Sequence, residues 1–308
     1  MTLSMSAQAK ISLDLRVFDR RKDGYHEVRI LQQTIDLTDE VRAEPSPVGD
    51  LRLEVQPRGV VPSGGDNLVI RAANALRTHS GIVEGARLTL VKNIPVGAGL
   101  GGGSSDAATT LLLLDQLWHL QLEKSELERL AARLGSDVPF FLTGGLALAT
   151  GRGDLIQPLP DLHELGVVLC SPPFEVSTAD AYRLFSDVPR LTSTRSKDTV
   201  DTFVAASKGN AVTTLPWQDL ENDLEPAVFE KWPDVGRAVT ALQTTSPLHA
   251  GMTGSGASAY AVYPDLETAE RAASGIDDRW DLHVAVTTRR TQGRQEMEET
   301  EGEREEFV

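Results

Sequence analysis

A chain of 308 residues, 40% of them apolar, with a formal net charge of −15 at neutral pH, has the length for two domains and a surface that repels nucleic acid and anionic membranes. It has no unbroken run of 18 apolar residues, so no membrane-spanning helix is expected, and Met1–Lys10 lacks the apolar stretch of a secretion signal. The single cysteine, Cys170, excludes an internal disulfide, suits a reducing cytoplasm and reads as a buried strand residue.

Alternation of Ile11, Leu13, Leu15 and Val17 predicts a strand over Ala9–Phe18. A polar turn at Arg20–Gly24 leads to a second strand, Val28–Leu37, and Leu51–Val55 reads as a third. Helical spacing predicts a helix over Asn67–Thr78 with Asp66 as its cap. A strand at Arg87–Val91 runs into a glycine-rich loop, and a helix follows from about Ser105 through Leu117. Ser125–Glu128 reads as a capping box opening a helix that Gly135 ends. Gly144–Thr150 is strand-like, Gly151–Asp154 a turn, and Pro158 and Pro160 mark a boundary. Beyond it come a strand at Gly166–Cys170, helices near Ala179–Phe185, Asp219–Phe229 and Val235–Leu242, a strand at Ala257–Tyr263, a helix at Leu266–Ser274 and a strand at Leu282–Thr287. Ser186–Asn210 is polar and reads as a loose connection. The pattern is α+β, with domains at 1–160 and 161–288. The tail, residues 289–308, carries seven Glu and four Arg for a net −3 and is expected to be disordered.

The most informative stretch is Pro95-Val96-Gly97-Ala98-Gly99-Leu100-Gly101-Gly102-Gly103-Ser104-Ser105-Asp106. Glycines turn main-chain N–H groups toward one point, and the helix behind adds unpaired N–H groups and the positive end of its dipole. Together they form a phosphate cradle. Gly97, Gly99 and Gly102 fit a dinucleotide fingerprint, but Asn93-Ile94-Pro95 interrupts the entry and no second strand ending in an acid follows. A Walker A loop fails too, since Gly103 follows Gly102 and no Lys-Ser or Lys-Thr comes after. Five glycines are too entropically costly for an ordinary packing turn. Histidines 79, 119, 163, 249 and 283 show no ligand spacing, so no structural metal is expected.

This loop resembles the second motif of the GHMP kinases, which phosphorylate small alcohols with ATP. Ala9-Lys10-Ile11-Ser12-Leu13 is similar to the family's first motif and Gly251-Met252-Thr253-Gly254-Ser255-Gly256-Ala257 to its third, while Arg21-Lys22-Asp23-Gly24-Tyr25-His26-Glu27 looks like a cytidine-recognition turn. The resemblance covers about residues 8–288. It implies an N-terminal ATP-binding α/β domain, a C-terminal ferredoxin-like α/β domain, ATP and Mg2+ as cofactors, and a monomer or weak homodimer. The Asp-Gly-Tyr-His turn points to a cytidyl-diphosphate substrate phosphorylated on a methylerythritol 2-hydroxyl, on the non-mevalonate route to isoprenoids. A homoserine or mevalonate kinase would not need Tyr25 and His26, and a non-catalytic nucleotide binder would tolerate loss of Asp137.

The resemblance also assigns roles. Residues 95–105 hold the ATP phosphates, and Ser105 (or Ser104) touches Mg2+. Asp137, which could otherwise serve only as a helix cap, accepts the hydroxyl proton, and Lys10, otherwise an edge-strand lysine, stands beside it. His26 reads cytosine while Tyr25 stacks on it; without the resemblance both would pass as turn residues. Tyr182 covers the other face, with Phe185 as the alternative, though both suit a helix core. Gly254, Ser255 and Gly256 lie near the substrate diphosphate. Asn67-Leu68-Val69 resembles the adenosine-side helix, although a helix start explains it. One departure matters: the first motif commonly carries Asn where this chain has Ser12, so a water or another group must supply whatever that amide supplied.

Overall fold

β1 (Thr2–Arg20) and β2 (His26–Ser46) form one long antiparallel hairpin. The computed structural model in which they appear describes residues 2–162, 164–187, 199–207, 212–277, 279–290 and 298–300. Residues 9–15 are buried on both faces of β1. Alternation therefore sends Ile11 and Leu13 into the apolar core and Lys10 and Ser12 to the opposite, polar side. Asp36 and Leu37 are extra residues on β2, between the pairs Ala9–Ile35 and Gln8–Thr38, and make a bulge.

β3 (Leu51–Gln56) lies parallel to β4 (Gly85–Val91), with α1 (Leu68–Ser80) as the crossover between them. α2 (Gly102–Leu117), α3 (Lys124–Leu134) and the single turn α4 (Val138–Phe141) follow. β4 pairs with β2 over residues 40–46, and β5 (Leu146–Thr150) pairs with β2 over residues 30–33. β6 (Leu155–Pro158) flanks β5. Val69, Leu76, Leu111, Leu114, Leu127 and Leu130 from the helices pack on Val41, Leu88 and Leu90 of the sheet. Each such side chain contributes about 1.5–3 kcal/mol through burial.

After β7 (Gly166–Ser171) come α5 (Thr178–Asp187), α6 (Thr199–Ser207), α7 (Glu225–Lys231) and α8 (Pro233–Gln243). β8 (His249–Met252), β9 (Ala259–Tyr263), α9 (Leu266–Ala273) and β10 (Asp281–Val286) complete this half. The strands form an antiparallel sheet in the order β10-β7-β9-β8, which is the ferredoxin-like β-α-β-β-α-β arrangement. α8 and α9 cover one face through Ala238, Leu242 and Ala269, on which Cys170 is fully buried. The other face, with Val167, Leu169, Tyr260 and Val262, shares one core with Ile11, Leu13, Leu31 and Ile35 of the first sheet. Among the described residues no helix is long and apolar enough to cross a membrane.

Local expectations needed several corrections. Asn67, not Asp66, caps α1: its Oδ1 accepts from Val69 N at 2.9 Å. The capping box of α3 sits two residues earlier than expected, with Glu123 N donating to Glu126 Oε2 at 3.1 Å. The helix expected over Asp219–Phe229 is a 3-10 turn at Trp217–Asp219 followed by α7. Part of the polar connection at 186–210 is α6, whose Val200 and Phe203 are buried and whose Phe203 ring lies 5.0 Å from that of Trp217. Residues 188–198 and 208–211 of that connection lie outside the described residues. So do residues 291–297 and 301–308 of the acidic tail, while Glu298–Thr300 pairs as β11 with the start of β1.

Candidate active site

The glycine loop is held through its carbonyls by β1 and by the segment between β8 and β9. Ala98 O accepts from Ser258 N at 3.2 Å, Gly99 O from Lys10 Nζ at 2.7 Å and Thr253 Oγ1 at 3.1 Å, and Leu100 O from Lys10 N at 2.9 Å. By contrast, no main-chain N–H from Gly97 through Gly103 donates to a protein group among the described residues. These seven donors, five in the loop and two in the first turn of α2, are an arrangement suited to an anion. Gly99 must be glycine twice over, having φ +76° and a close approach in which a Cβ would fall 2.2 Å from Thr253 O.

Behind the loop is a buried charge cluster that sequence reasoning missed. Lys92 Nζ pairs with Asp39 Oδ2 and, at 2.9 Å, with Asp106 Oδ2. Asp39 Oδ1 also accepts from Asn93 N at 2.6 Å and Ile94 N at 2.8 Å, which fixes the chain entering the loop. Burial raises the pKa of Asp106 and Lys92 opposes it. Asp106 Oδ1 has no partner, and both Asp106 and Lys92 line the cleft. The only hint in the sequence was two charged residues, Asp39 and Lys92, set next to apolar strand positions.

The cleft occupies about 440 Å3 between the glycine loop, the polar face of β1 and β2, α4, α5 and the loop after β8. It brings together Lys10, Ser12, Asp137, Tyr182, Gly254, Ser255, Gly256 and all of residues 95–104. Lys10 is 3% exposed and also donates to Ser12 Oγ at 3.0 Å. Burial lowers its pKa, and the charge of Asp137 acts in the opposite direction. Asp137 occupies the cap position of α4 without any side-chain capping bond, so its carboxylate is not committed to the helix.

Other expected residues stand differently. Ser104 lines the cleft, whereas Ser105 is 1% exposed and does not. The His26 ring stacks on Tyr182 with centroids 5.5 Å apart and meets Phe185 edge-on at 6.2 Å, while Ser186 Oγ lies 3.2 Å from its Nε2. Tyr25 is 51% exposed under the Arg152 guanidinium, at 5.3 Å, and does not line the cleft. The loop after β8 is held by Asn222 Nδ2, which donates to Met252 O and Gly254 O, both at 2.8 Å. Ser255 Oγ lies 2.9 Å from Thr178 Oγ1. The described residues contain no cluster of three or more His, Cys, Asp or Glu side chains able to hold a metal.

A glycine-rich loop at a helix N-terminus and a lysine and a carboxylate lining the same cleft, set between an α/β layer and a ferredoxin-like layer, are what a small-molecule kinase requires, and the family models agree. The GHMP kinases N terminal domain matches residues 67–145 and the GHMP kinases C terminal domain matches residues 206–282. The chain belongs to the GHMP kinases. Within them it is 42% identical to the 4-diphosphocytidyl-2-C-methyl-D-erythritol kinase of Pelotomaculum thermopropionicum, over 93% of this chain and 98% of that one. It is 38% identical to the enzyme of the same name from Caldanaerobacter subterraneus, over 88% and 92%. A crystal structure of 4-(cytidine 5'-diphospho)-2C-methyl-D-erythritol kinase superposes with TM-score 0.74 at 32% identity, covering 92% of this chain and 98% of that one. A homoserine kinase from Cytophaga hutchinsonii superposes with TM-score 0.77 at 22% identity over 95% and 96%, a likeness of fold alone.

Proposed function

We infer that this chain transfers the γ-phosphoryl group of ATP to the 2-hydroxyl of 4-diphosphocytidyl-2-C-methyl-D-erythritol, giving the 2-phosphate and ADP on the non-mevalonate route to isoprenoid precursors. The observation that carries the reading is the row of unpaired N–H groups at residues 97–103 in the same cleft as Lys10 and Asp137. Phosphoryl transfer demands positioned phosphates and a positioned alcohol more than covalent chemistry. The loop amides and the α2 N-terminus take the triphosphate. Asp137 accepts the hydroxyl proton as the oxygen attacks phosphorus, and Lys10, steadied by Gly99 O and Ser12 Oγ, orients that hydroxyl.

Mg2+ fits the residues present. Asp106 Oδ1 is a buried carboxylate oxygen without a partner, and Ser104, like Asp106 on the first turns of α2, lines the same cleft. These two would hold the ion, with Ser104 in place of the buried Ser105, and the ion would supply charge neutralisation for the transferring phosphoryl group. The cytidine end falls to His26 and Tyr182, with Tyr25 free to swing onto the base from its exposed turn, and Gly254 and Ser255 face the diphosphate. The division into domains falls near residue 160, between β6 and β7. The partner is thus a small molecule.

The deciding measurement is 31P NMR of the purified protein with the cytidyl substrate, ATP and Mg2+, where a new phosphomonoester resonance should grow as ADP appears. Protection against thermal unfolding by CMP is the companion test. Turnover of homoserine or mevalonate with none of the cytidyl substrate would overturn the reading.

A further inference from the structure

Gln32 is 1% exposed, on β2, and its side-chain Oε1 has no hydrogen-bond partner. No described protein group pairs with either end of its amide. A buried amide oxygen with no donor is costly, and such groups persist where a ligand completes them. Gln32 also lines the cleft.

Its place in the sheet says what it faces. Gln32 is the register partner of Ser12, directly across the hairpin, where side chains on one face stand about 4.5–5.5 Å apart. Ser12 is on the face that carries Lys10, and Ile30, the next residue of β2 on that face, lines the cleft as well. Ser12 itself has its hydroxyl engaged by Lys10 Nζ at 3.0 Å and its N–H by Thr253 Oγ1 at 3.1 Å. The hydroxyl is short and already accepts from Lys10, whereas the amide opposite it is longer and its oxygen has no partner.

We propose that Gln32 is a substrate-contacting residue whose side-chain amide hydrogen-bonds the tetritol hydroxyl neighbouring the one phosphorylated. It does from β2 what the Ser12 hydroxyl, tied to Lys10, does not do from β1. A primary amide offers both an acceptor and donors, so it can take a hydroxyl in either sense. The proposal rests on the cytidyl-methylerythritol reading and deepens it. With the 4-position esterified and the 2-position reacting, the 1- and 3-hydroxyls are the groups within its chemistry.

The test is Gln32→Met, close in volume and without the amide, with Gln32→Leu as the second variant. Steady-state kinetics should show kcat/KM for the cytidyl substrate reduced about tenfold, the worth of one hydrogen bond to a buried neutral group. KM for ATP and inhibition by CMP, which lacks the tetritol, should stay within twofold. Removing the 1- or 3-hydroxyl from the substrate should cost the wild type about tenfold and the variant nothing more. Ser12→Asn added to Gln32→Met should recover part of the loss by restoring an amide across the hairpin. The melting temperature of the ligand-free variant should equal or exceed that of the wild type, because an unmet polar group is gone. A merely structural glutamine gives the reverse: a lower melting temperature and equal losses toward ATP and CMP. Unchanged kcat/KM for both variants on a wild type that turns over the cytidyl substrate overturns the proposal, whereas a wild type inactive on that substrate overturns the reading beneath it.

Discussion

In the proposed mechanism Asp137 and Gly99 serve two different tasks, proton acceptance and the shaping of the phosphate loop, and a single substitution at each separates them. Asp137 makes no capping bond, so Asp137→Ala should leave the fold and ATP affinity unchanged while turnover falls at least about a hundredfold. Equilibrium ATP binding alongside the 31P rate checks this, and an unaltered rate moves the base elsewhere. Gly99→Ala should do the opposite kind of damage. It forces a side chain into a left-handed backbone and onto Thr253 O, costing at least about 1–3 kcal/mol from the backbone strain alone. Gly103, in the first turn of α2, meets only Leu68 Cδ1 at 3.8 Å, so Gly103→Ala should melt within a degree or two of the wild type while Gly99→Ala melts clearly lower.

Between elements, the loop depends on the Lys92 cluster that ties β2, β4 and α2 together. Lys92→Met strands two buried carboxylates without a cation, and loss of one partner from a buried pair costs about 3–5 kcal/mol. Urea unfolding should register that loss, and adding Asp106→Asn should return part of it. This cluster was illegible in the sequence because Asp39 and Lys92 stand far apart in the chain, and nothing local says that β2 and β4 will be neighbours. What was legible was local: the alternation of β1 and the glycine loop ahead of α2, whereas Asp137 reads locally as a cap and only the resemblance gives it another role. α6 was missed because its apolar side chains were judged against polar flanks, whereas burial against Trp217 decided its fate. Tyr182, which the resemblance offers for the far face of the base, does line the cleft, yet its stacking on His26 follows from tertiary contacts that no motif encodes.

For the molecule as a whole, pH acts through groups buried away from the cleft loop. Burial pushes Glu225, at the start of α7, up to about 7, although its Oε1 accepts from Met252 N at 2.7 Å. A carboxyl whose folded value is raised binds its proton more tightly when folded. Its stabilising contribution is complete below about 4.5 and is lost as pH rises through about 7. His249 works the other way: burial lowers it to about 4, so its contribution is complete above 6.5 and is lost as pH falls through about 4. Glu225→Gln keeps the acceptor and removes the titration. Its melting temperature should gain on the wild type between pH 5 and pH 8, and a constant difference across that span would contradict the assignment.

The three loop carbonyls of Ala98, Gly99 and Leu100 are gripped from both ends of the chain, by Lys10 on one side and by Thr253 and Ser258 on the other. The shape of the loop is therefore shared between the two halves of the chain. Part of its clasp is fastened more than 150 residues downstream, so on the proposed reading a shift of that stretch would reach the triphosphate and the alcohol together.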